Sequence, residues 1–274
     1  MNRKINTYLQ KIAPFGVLLF ALFLFCHGRP FCMYYPDKKI YATPSDINLR
    51  YEPVLFRAED GIKLTGWWIP TNNARGVVLF SHGNAGNISR MLESIKILNK
   101  LKLNVLVYDY RGYGESEGEP SEQGTYMDAK AAWFYLVNER KISERKIIIF
   151  GYSLGGSISA WLARENTPAI LIIEASFTSL ADVANEHYFW FPGKLIFGDT
   201  YNTYQNLKDV KCPVLIIHSK DDELTPFSQG KKLFDTANEP KEMIVITGSH
   251  NTGFLESKQE YEAGLNAFIS KHLK

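Results

Sequence analysis

The sequence predicts an α/β fold in which helices cover both faces of a mostly parallel β-sheet. Short, almost entirely apolar runs such as residues 76–80 alternate along the chain with longer segments whose apolar residues recur at helical spacing. A chain of 274 residues with 45% hydrophobic residues is long enough for one large domain of this class. Polar, glycine-rich loops follow several of the apolar runs, where the carboxyl ends of parallel strands bind ligands.

The predicted elements begin with a hairpin, formed by residues 54–57 and 63–69 around the turn signal Asp60-Gly61. Residues 76–80 form the next strand. Met91, Ile95 and Leu98 give residues 88–101 the spacing of an amphipathic helix. The remaining elements, in order, are strand 103–108, helix 124–137, strand 146–150, helix 154–164, strand 169–173, strand 214–217, helix 227–237, strand 243–246 and helix 258–272.

The N-terminus has a different character. Residues 15–26 are uniformly apolar and follow Arg3, Lys4 and Lys11. The stretch is shorter than the ~20 residues typical of a spanning helix, so a cleaved signal peptide or a buried helix are alternatives. No small-residue cleavage site follows, and we therefore expect residues 1–32 to be a single-pass membrane anchor with the domain on the non-cytoplasmic side. Proline-containing residues 33–50 would be a linker, and 51–274 the α/β domain.

Composition excludes several classes of protein. The net charge is +2 without a basic stripe, which argues against nucleic-acid binding. Three cysteines provide no disulfide framework. Neither a cofactor motif nor a second cluster of metal ligands supports a bound cofactor or metal, and we expect a monomer.

Ser153 is the candidate nucleophile. An apolar strand runs directly into Gly151-Tyr152-Ser153-Leu154-Gly155, and a helical pattern follows. A serine at such a strand-to-helix turn can present its hydroxyl on a sharp elbow. The alternative is a serine that only caps the helix.

A base and an acid should follow the serine in the sequence if it belongs to a Ser–acid–His triad. His250 lies in a polar loop after the strand 243–246 and is the candidate base. Asp221, Asp222 and Glu223 compete for the acid after the strand 214–217, and one of them could instead cap the following helix. Glu174, after an earlier strand, is a fourth candidate acid.

Oxyanion donors should be backbone N–H groups. The N–H of Leu154 follows the nucleophile, and a second donor should come from the glycine-rich loop 81–87, where the N–H of Asn84 is the candidate. His82 in the same loop is interpreted as a buried brace rather than a second base.

Residues 176–211 are expected to form a short lid with an apolar acyl pocket. Tyr152, Phe189, Trp190 and Phe191 are the candidate substrate contacts. The alternative is a helix that packs these aromatic side chains on the domain without binding a ligand.

Six motifs distributed along the chain resemble those of the α/β-hydrolase superfamily, and within it the membrane-tethered subgroup with YfhR-type, Bem-type and protein depalmitoylase members. The motifs are Tyr34-Tyr35-Pro36, Glu59-Asp60-Gly61, residues 82–87 (HGNAGN), 109–116 (DYRGYGES), 151–156 (GYSLGG) and 248–251 (GSHN). The resemblance implies a Ser–Asp–His triad. The superfamily's sequence pattern for the loop that carries the acid, laid on residues 218–226, selects Asp222 and leaves Asp221 as the second choice. Ser219 and Thr225 differ from the residues of that pattern.

The predicted function is therefore hydrolysis of carboxylic esters or thioesters through an acyl-enzyme on Ser153. The substrate would be a small acyl ester or thioester, a lipid or a lipidated protein. One alternative is an aminopeptidase in which Glu174 or Glu186 holds the substrate amine. The other is a non-catalytic binding protein of the same fold.

Overall fold

The computed structural model describes residues 33–187, 190 and 192–273. Its core is an eight-stranded sheet in the compact unit Pro36–Lys274. In chain order the strands are β1 (Glu52–Arg57), β2 (Lys63–Ile69), β3 (Gly76–Ser81), β4 (Leu103–Tyr108), β5 (Ile147–Tyr152), β6 (Ile170–Glu174), β7 (Val214–Ser219) and β8 (Lys241–Ile246). Two further strands of two residues each are Tyr35–Pro36 and Ala85–Gly86.

The sheet order is β8-β7-β6-β5-β3-β4-β2-β1. All pairs from β8 to β4 are parallel, whereas β2 is antiparallel to both β1 and β4. The predicted mostly parallel sheet is confirmed, and the predicted hairpin forms its antiparallel edge. Every residue of β3, β6 and β7 is buried, because helices cover both faces of the sheet.

The α-helices are α1 (Leu92–Lys100), α2 (Glu122–Phe134), α3 (Leu154–Glu165), α4 (Leu180–His187), α5 (Gly193–Phe197), α6 (Thr203–Lys208), α7 (Phe227–Thr236), α8 (Gly253–Glu256) and α9 (Lys258–His272). Short 3₁₀ segments occur at Pro44–Ile47, Ile88–Arg90 and Glu144–Lys146, and a π-helical turn at Tyr135–Glu139. The closing helix α9 has the predicted bounds.

Two helix boundaries differ from the prediction because side chains cap the backbone. The predicted helix 88–101 is divided: the Asn87 side chain accepts the Ser89 N–H and starts a 3₁₀ turn, and α1 begins only at Leu92. The predicted helix 124–137 begins earlier, at Glu122, because the Ser121 hydroxyl accepts the Gly124 N–H.

The segment predicted as a linker, 33–50, contains the 3₁₀ turn Pro44–Ile47, and its Ile40 and Leu49 pack against the hydrophobic core. The predicted anchor, residues 1–32, lies outside the described residues. Within the part of the chain that is described, no helix is long and apolar enough to cross a membrane.

The segment predicted as a lid, 176–211, contains α4, α5 and α6. Leu195 of α5 is 79% exposed and Trp190 is 54% exposed. Phe189 and Phe191 lie outside the described residues. A covering role for this segment stays a prediction.

Candidate active site

Ser153 occupies the sharp turn between β5 and α3, with φ 53° and ψ −117°. A non-glycine residue with positive φ is strained and persists only where the surroundings determine it. Here the Ser153 N–H donates to the carbonyl of Glu174 at the end of β6, 2.8 Å away. A β-carbon at Gly155 would overlap the carbonyl of Ser81 at the end of β3, so α3 can approach the sheet only because this residue is glycine.

We expect Gly155→Ala to lower the free energy of unfolding by about 3 kcal/mol, because the clash involves backbone that cannot move aside. Urea denaturation followed by circular dichroism measures the effect. Gly61→Ala is the control: its β-carbon meets nothing within 4 Å, although φ is +86°. The control should therefore cost only the left-handed backbone penalty of about 1 kcal/mol, and equal losses in the two variants would contradict the prediction.

Ser153, His250 and Asp222 lie in one hydrogen-bonded row. Ser153 Oγ is 3.1 Å from His250 Nε2, and His250 Nδ1 is 2.7 Å from Asp222 Oδ2. The other carboxylate oxygen of Asp222 accepts the N–H groups of Leu224 at 3.0 Å and Thr225 at 2.7 Å. Asp222 and His250 are both buried. The carboxylate fixes a proton on Nδ1, which leaves Nε2 free to accept the serine proton.

The neighbouring carboxylates have different partners. Asp221 Oδ2 accepts the Gly248 N–H at 3.1 Å, and Glu223 Oε2 accepts the His250 N–H at 3.0 Å. Both therefore hold the histidine loop by its backbone and do not contact the imidazole in the structure. Helix α7 follows Pro226 and has no side-chain cap, so helix capping does not occupy any of these acids.

Glu174 is buried beneath the elbow and accepts a hydrogen bond from the Tyr261 hydroxyl at 2.6 Å. Burial raises the pKa of its carboxyl to about 7. A carboxyl held in this way is poorly suited to orient His250, which already has Asp222 as its partner.

His218 is a site residue that we did not assign from the sequence. Its Nε2 donates to the carbonyl of Thr225 at 2.7 Å, which closes the turn that carries Asp222. The ring is fully packed, since a β-carbon at Gly230 would overlap it. Burial lowers the pKa of His218, which favours the neutral form of the ring. The sequence feature that could have identified His218 as a site residue is the pattern His-x-x-x-Asp at the end of a strand.

The candidate oxyanion donors are the backbone N–H groups of Leu154 and Asn84. The Leu154 N–H is at the N-terminus of α3, where backbone N–H groups lack helical partners. In the loop after β3, a β-carbon at Gly83 would lie 3.6 Å from the Ser153 β-carbon, so the residue that precedes Asn84 lies beside the nucleophile. The Tyr113 hydroxyl donates to the carbonyl oxygen and side-chain oxygen of Asn84, at 2.8 and 2.9 Å.

Two of the predicted substrate contacts are described by the structure. The Tyr152 hydroxyl lies within hydrogen-bonding distance of the His250 carbonyl at 3.1 Å and Asn251 Oδ1 at 3.0 Å, so this residue also holds the histidine loop. Trp190 is half-exposed in the lid segment. Among the described residues, no group of three or more His, Cys, Asp or Glu side chains could hold a metal ion.

Comparison with known proteins gives consistent matches. Residues 72–196 match the family described as Hydrolase_4, serine aminopeptidase S33. YfhR from Salmonella typhi is 34% identical over 242 residues, covering 81% of this chain and 80% of YfhR. The lysophosphatidylserine lipase ABHD12 of Danio rerio is 35% identical over 61% of this chain and 48% of that protein.

The fold is shared with the Pyrococcus furiosus esterase Pf2001, at a TM-score of 0.74 and 22% identity, over 88% of this chain and 98% of the esterase. The alpha/beta hydrolase domain-containing protein WAV2 of Arabidopsis thaliana is 37% identical over 258 residues, covering 86% of this chain and 84% of WAV2. The sheet order and the elbow agree with that domain. The chain therefore belongs to the α/β-hydrolase superfamily.

Proposed function

We propose that this chain hydrolyses carboxylic esters or thioesters through an acyl-enzyme on Ser153. The observation that carries the proposal is the continuous row of hydrogen bonds from Ser153 Oγ through His250 to Asp222. A serine hydroxyl is a weak nucleophile unless a neighbouring base accepts its proton. In this row the base is within reach of the hydroxyl, and the acid is within reach of the base.

Acylation would begin when His250 Nε2 accepts the Ser153 proton and Oγ attacks the substrate carbonyl carbon. The developing oxyanion would be stabilised by the N–H groups of Asn84 and Leu154. His250 would then donate its proton to the leaving alcohol or thiol, and the acyl group would remain on Ser153. Water, deprotonated by His250, would then attack the acyl carbon, and His250 would return that proton to Ser153 Oγ as the acid is released. Asp222 stabilises the imidazolium throughout.

Two observations support the proposed substrate class: the names of the relatives and the apolar surface of the lid segment. A lipase is among the sequence relatives of this chain, and an esterase is among the proteins with the same fold. Trp190 and Leu195 expose apolar surface in the lid segment, which suits an apolar acyl chain. We therefore propose acyl esters or thioesters of lipids or lipidated proteins as substrates, reached from a membrane to which residues 1–32 would tether the domain.

A serine aminopeptidase is the second candidate function, because the family matched by residues 72–196 carries that description. An aminopeptidase needs a carboxylate for the substrate amine. Glu186 accepts hydrogen bonds from Ser228 and Lys232, which hold the pKa of its carboxyl low. Glu174 is buried against Tyr261. Both predicted carboxylates already have partners, and this favours the ester or thioester reaction.

The test combines a fluorophosphonate probe with matched substrates on the full-length chain. We expect the probe to label Ser153, and p-nitrophenyl esters and thioesters to turn over faster than aminoacyl amides of similar size. Faster turnover of aminoacyl amides, lost in Glu186→Gln, would favour the aminopeptidase. A folded protein that does not react with the probe would instead be a non-catalytic binding protein.

A further inference from the structure

Two buried polar atoms in and next to loop 81–87, which we call the oxyanion loop, have no hydrogen-bond partner. They are Nε2 of His82, in the loop after β3, and Oδ2 of Asp109, directly after β4. His82 is 0% exposed and Asp109 is 1% exposed. His82 Nε2 lies 3.7 Å from Asp109 Oδ1, so the unsatisfied nitrogen faces this carboxyl. A buried polar group without a partner is costly, and such a pair therefore requires a physical explanation.

The hydrogen bonds around the pair define its protonation. His82 Nδ1 is 2.7 Å from the Gly83 carbonyl, which can only accept, so Nδ1 carries the hydrogen. In the neutral ring, Nε2 then presents a lone pair. Asp109 Oδ1 accepts the Ile88 N–H at 2.9 Å. Without a further proton, the imidazole lone pair would face a carboxylate in a site closed to water, and this is unfavourable.

Among the described residues, neither His82 nor Asp109 forms an ion pair with a lysine or arginine side chain. Gly114, with φ +48°, packs directly against Asp109 Oδ2, where a β-carbon would overlap it. Two charged groups act on the pKa of Asp109 in opposite directions: Glu115 raises it and Lys38 lowers it. The other titratable groups packed around the two residues are tyrosines: Tyr108, Tyr110 and Tyr113.

We propose that His82 and Asp109 hold one proton between them, and that this uncharged pair positions the oxyanion loop for acyl transfer. The inference rests on the proposed reaction at Ser153. Both residues are positioning residues, because neither contacts the reacting atoms. The pair joins the loop after β3 to the loop after β4. The second loop carries Tyr110, which donates a hydrogen bond to the His82 carbonyl, and Tyr113, which donates one to Asn84.

Burial favours the uncharged form of each partner. It lowers the pKa of His82 to about 4 and raises the pKa of Asp109 to about 7. Between these limits the proton resides on Asp109, and the neutral carboxyl faces the imidazole lone pair. Above about pH 7 the proton leaves to solvent, and a buried anion remains beneath the oxyanion loop.

The loop would respond to that charge through its aromatic contacts. The His82 ring lies 4.2 Å from the Tyr110 ring and 5.3 Å from the Tyr113 ring. The Tyr110 hydroxyl donates to the His82 carbonyl at 2.7 Å, and Tyr113 donates to Asn84. A displacement of this stack moves the Asn84 N–H relative to the oxyanion. The rate should therefore fall on the alkaline side, in kcat more than in KM.

Asp109→Asn tests the proposal, because an amide reproduces the neutral acid and cannot ionise. Its oxygen can accept the Ile88 N–H and its NH₂ can donate to His82 Nε2. We expect the alkaline limb of the pH profile of kcat to move upward by at least ~1 pH unit. Tyr110→Phe is the control for loosening of the loop, and should lower kcat at every pH without moving the limb. An Asp109→Asn profile with the wild-type limb would overturn the proposal.

A second measurement does not depend on activity. Asp109 has a higher pKa folded than unfolded, so its contribution to stability declines as pH rises from about 4 to about 7 and is constant above. The stability of Asp109→Asn relative to wild type should rise over the same window and then level. Parallel stability curves for the two proteins would contradict a shared proton. If wild type has no esterase activity, the proposed reaction fails while these curves still test the pair.

If Asp109→Asn does not fold, ¹⁵N NMR of the wild-type histidines replaces it. His82 should keep its hydrogen on Nδ1 and none on Nε2 from about pH 5 to about pH 9. A ring protonated on both nitrogens near neutral pH would make the pair an ion pair and would overturn the uncharged assignment. A hydrogen on Nε2 alone would overturn the assignment.

Discussion

Replacement of Ser153 by alanine should abolish ester turnover and lower kcat by roughly a million-fold, the scale seen when a serine nucleophile is removed from a triad. The remaining oxyanion donors and the acyl site would support only residual hydrolysis by water. The Ser153 hydroxyl forms a single hydrogen bond, to His250, among the described residues, so its loss should change the unfolding midpoint little. Steady-state kinetics with a p-nitrophenyl ester, together with thermal unfolding, measures both effects.

Ser157→Ala is a matched control for this variant. Ser157 lies on the same helix, α3, and its buried hydroxyl has no hydrogen-bond partner in the described structure. Its removal should leave turnover within about twofold of wild type. Fluorophosphonate should label Ser157→Ala and wild type equally but not Ser153→Ala. Retention of most activity in Ser153→Ala would exclude the acyl-enzyme mechanism.

Much of the fold could be predicted from the sequence because the buried strands carry a strong local signal. The runs around Val78 and Ile148 are apolar throughout, as expected for strands covered on both faces. Helix ends were less predictable, since side chains such as those of Asn87 and Ser121 set them through individual hydrogen bonds. Such bonds depend on local geometry that hydrophobic periodicity does not contain.

The candidate site was only partly predictable for a similar reason. Ser153 and His250 are identified by short motifs at strand ends. The roles of Asp109, Tyr110 and Tyr113 depend on contacts with a loop about 28 residues earlier in the chain. His218 likewise acts across a turn, on the Thr225 carbonyl. These roles arise from tertiary contacts, so a single sequence supplies the residues but not their partners.

Three consecutive acidic residues made the acid the least determined member of the site. Asp221 and Glu223 accept backbone N–H groups of the histidine loop, and Asp222 alone of the three reaches the imidazole. The order serine, acid, histidine along the chain could not distinguish the three acids. Neighbouring residues of one loop point their side chains in different directions, and the order of residues does not determine those directions. Substitution of each acid in turn can therefore show which of them orients His250.

Asp222→Asn should lower kcat by about 10⁴-fold with little change in KM. The asparagine oxygen can still accept the Leu224 and Thr225 N–H groups, so the loop should keep its shape. Its NH₂ would instead face His250 Nδ1 and donate to it. The hydrogen of the neutral imidazole would then sit on Nε2, which could no longer accept the Ser153 proton. Fluorophosphonate labelling should slow with kcat, because both need the same activated hydroxyl.

Asp221→Asn is the matched control, one residue away and with the same change of charge. Asp221 Oδ2 accepts a single backbone N–H from Gly248, which an amide oxygen can also accept. This variant should retain turnover within a few-fold of wild type. A large loss in Asp221→Asn with near-normal turnover in Asp222→Asn would transfer the acid role to Asp221. Equal losses in both would indicate that the acidic loop acts through its backbone contacts, since only Asp222 can affect the tautomer of His250 directly.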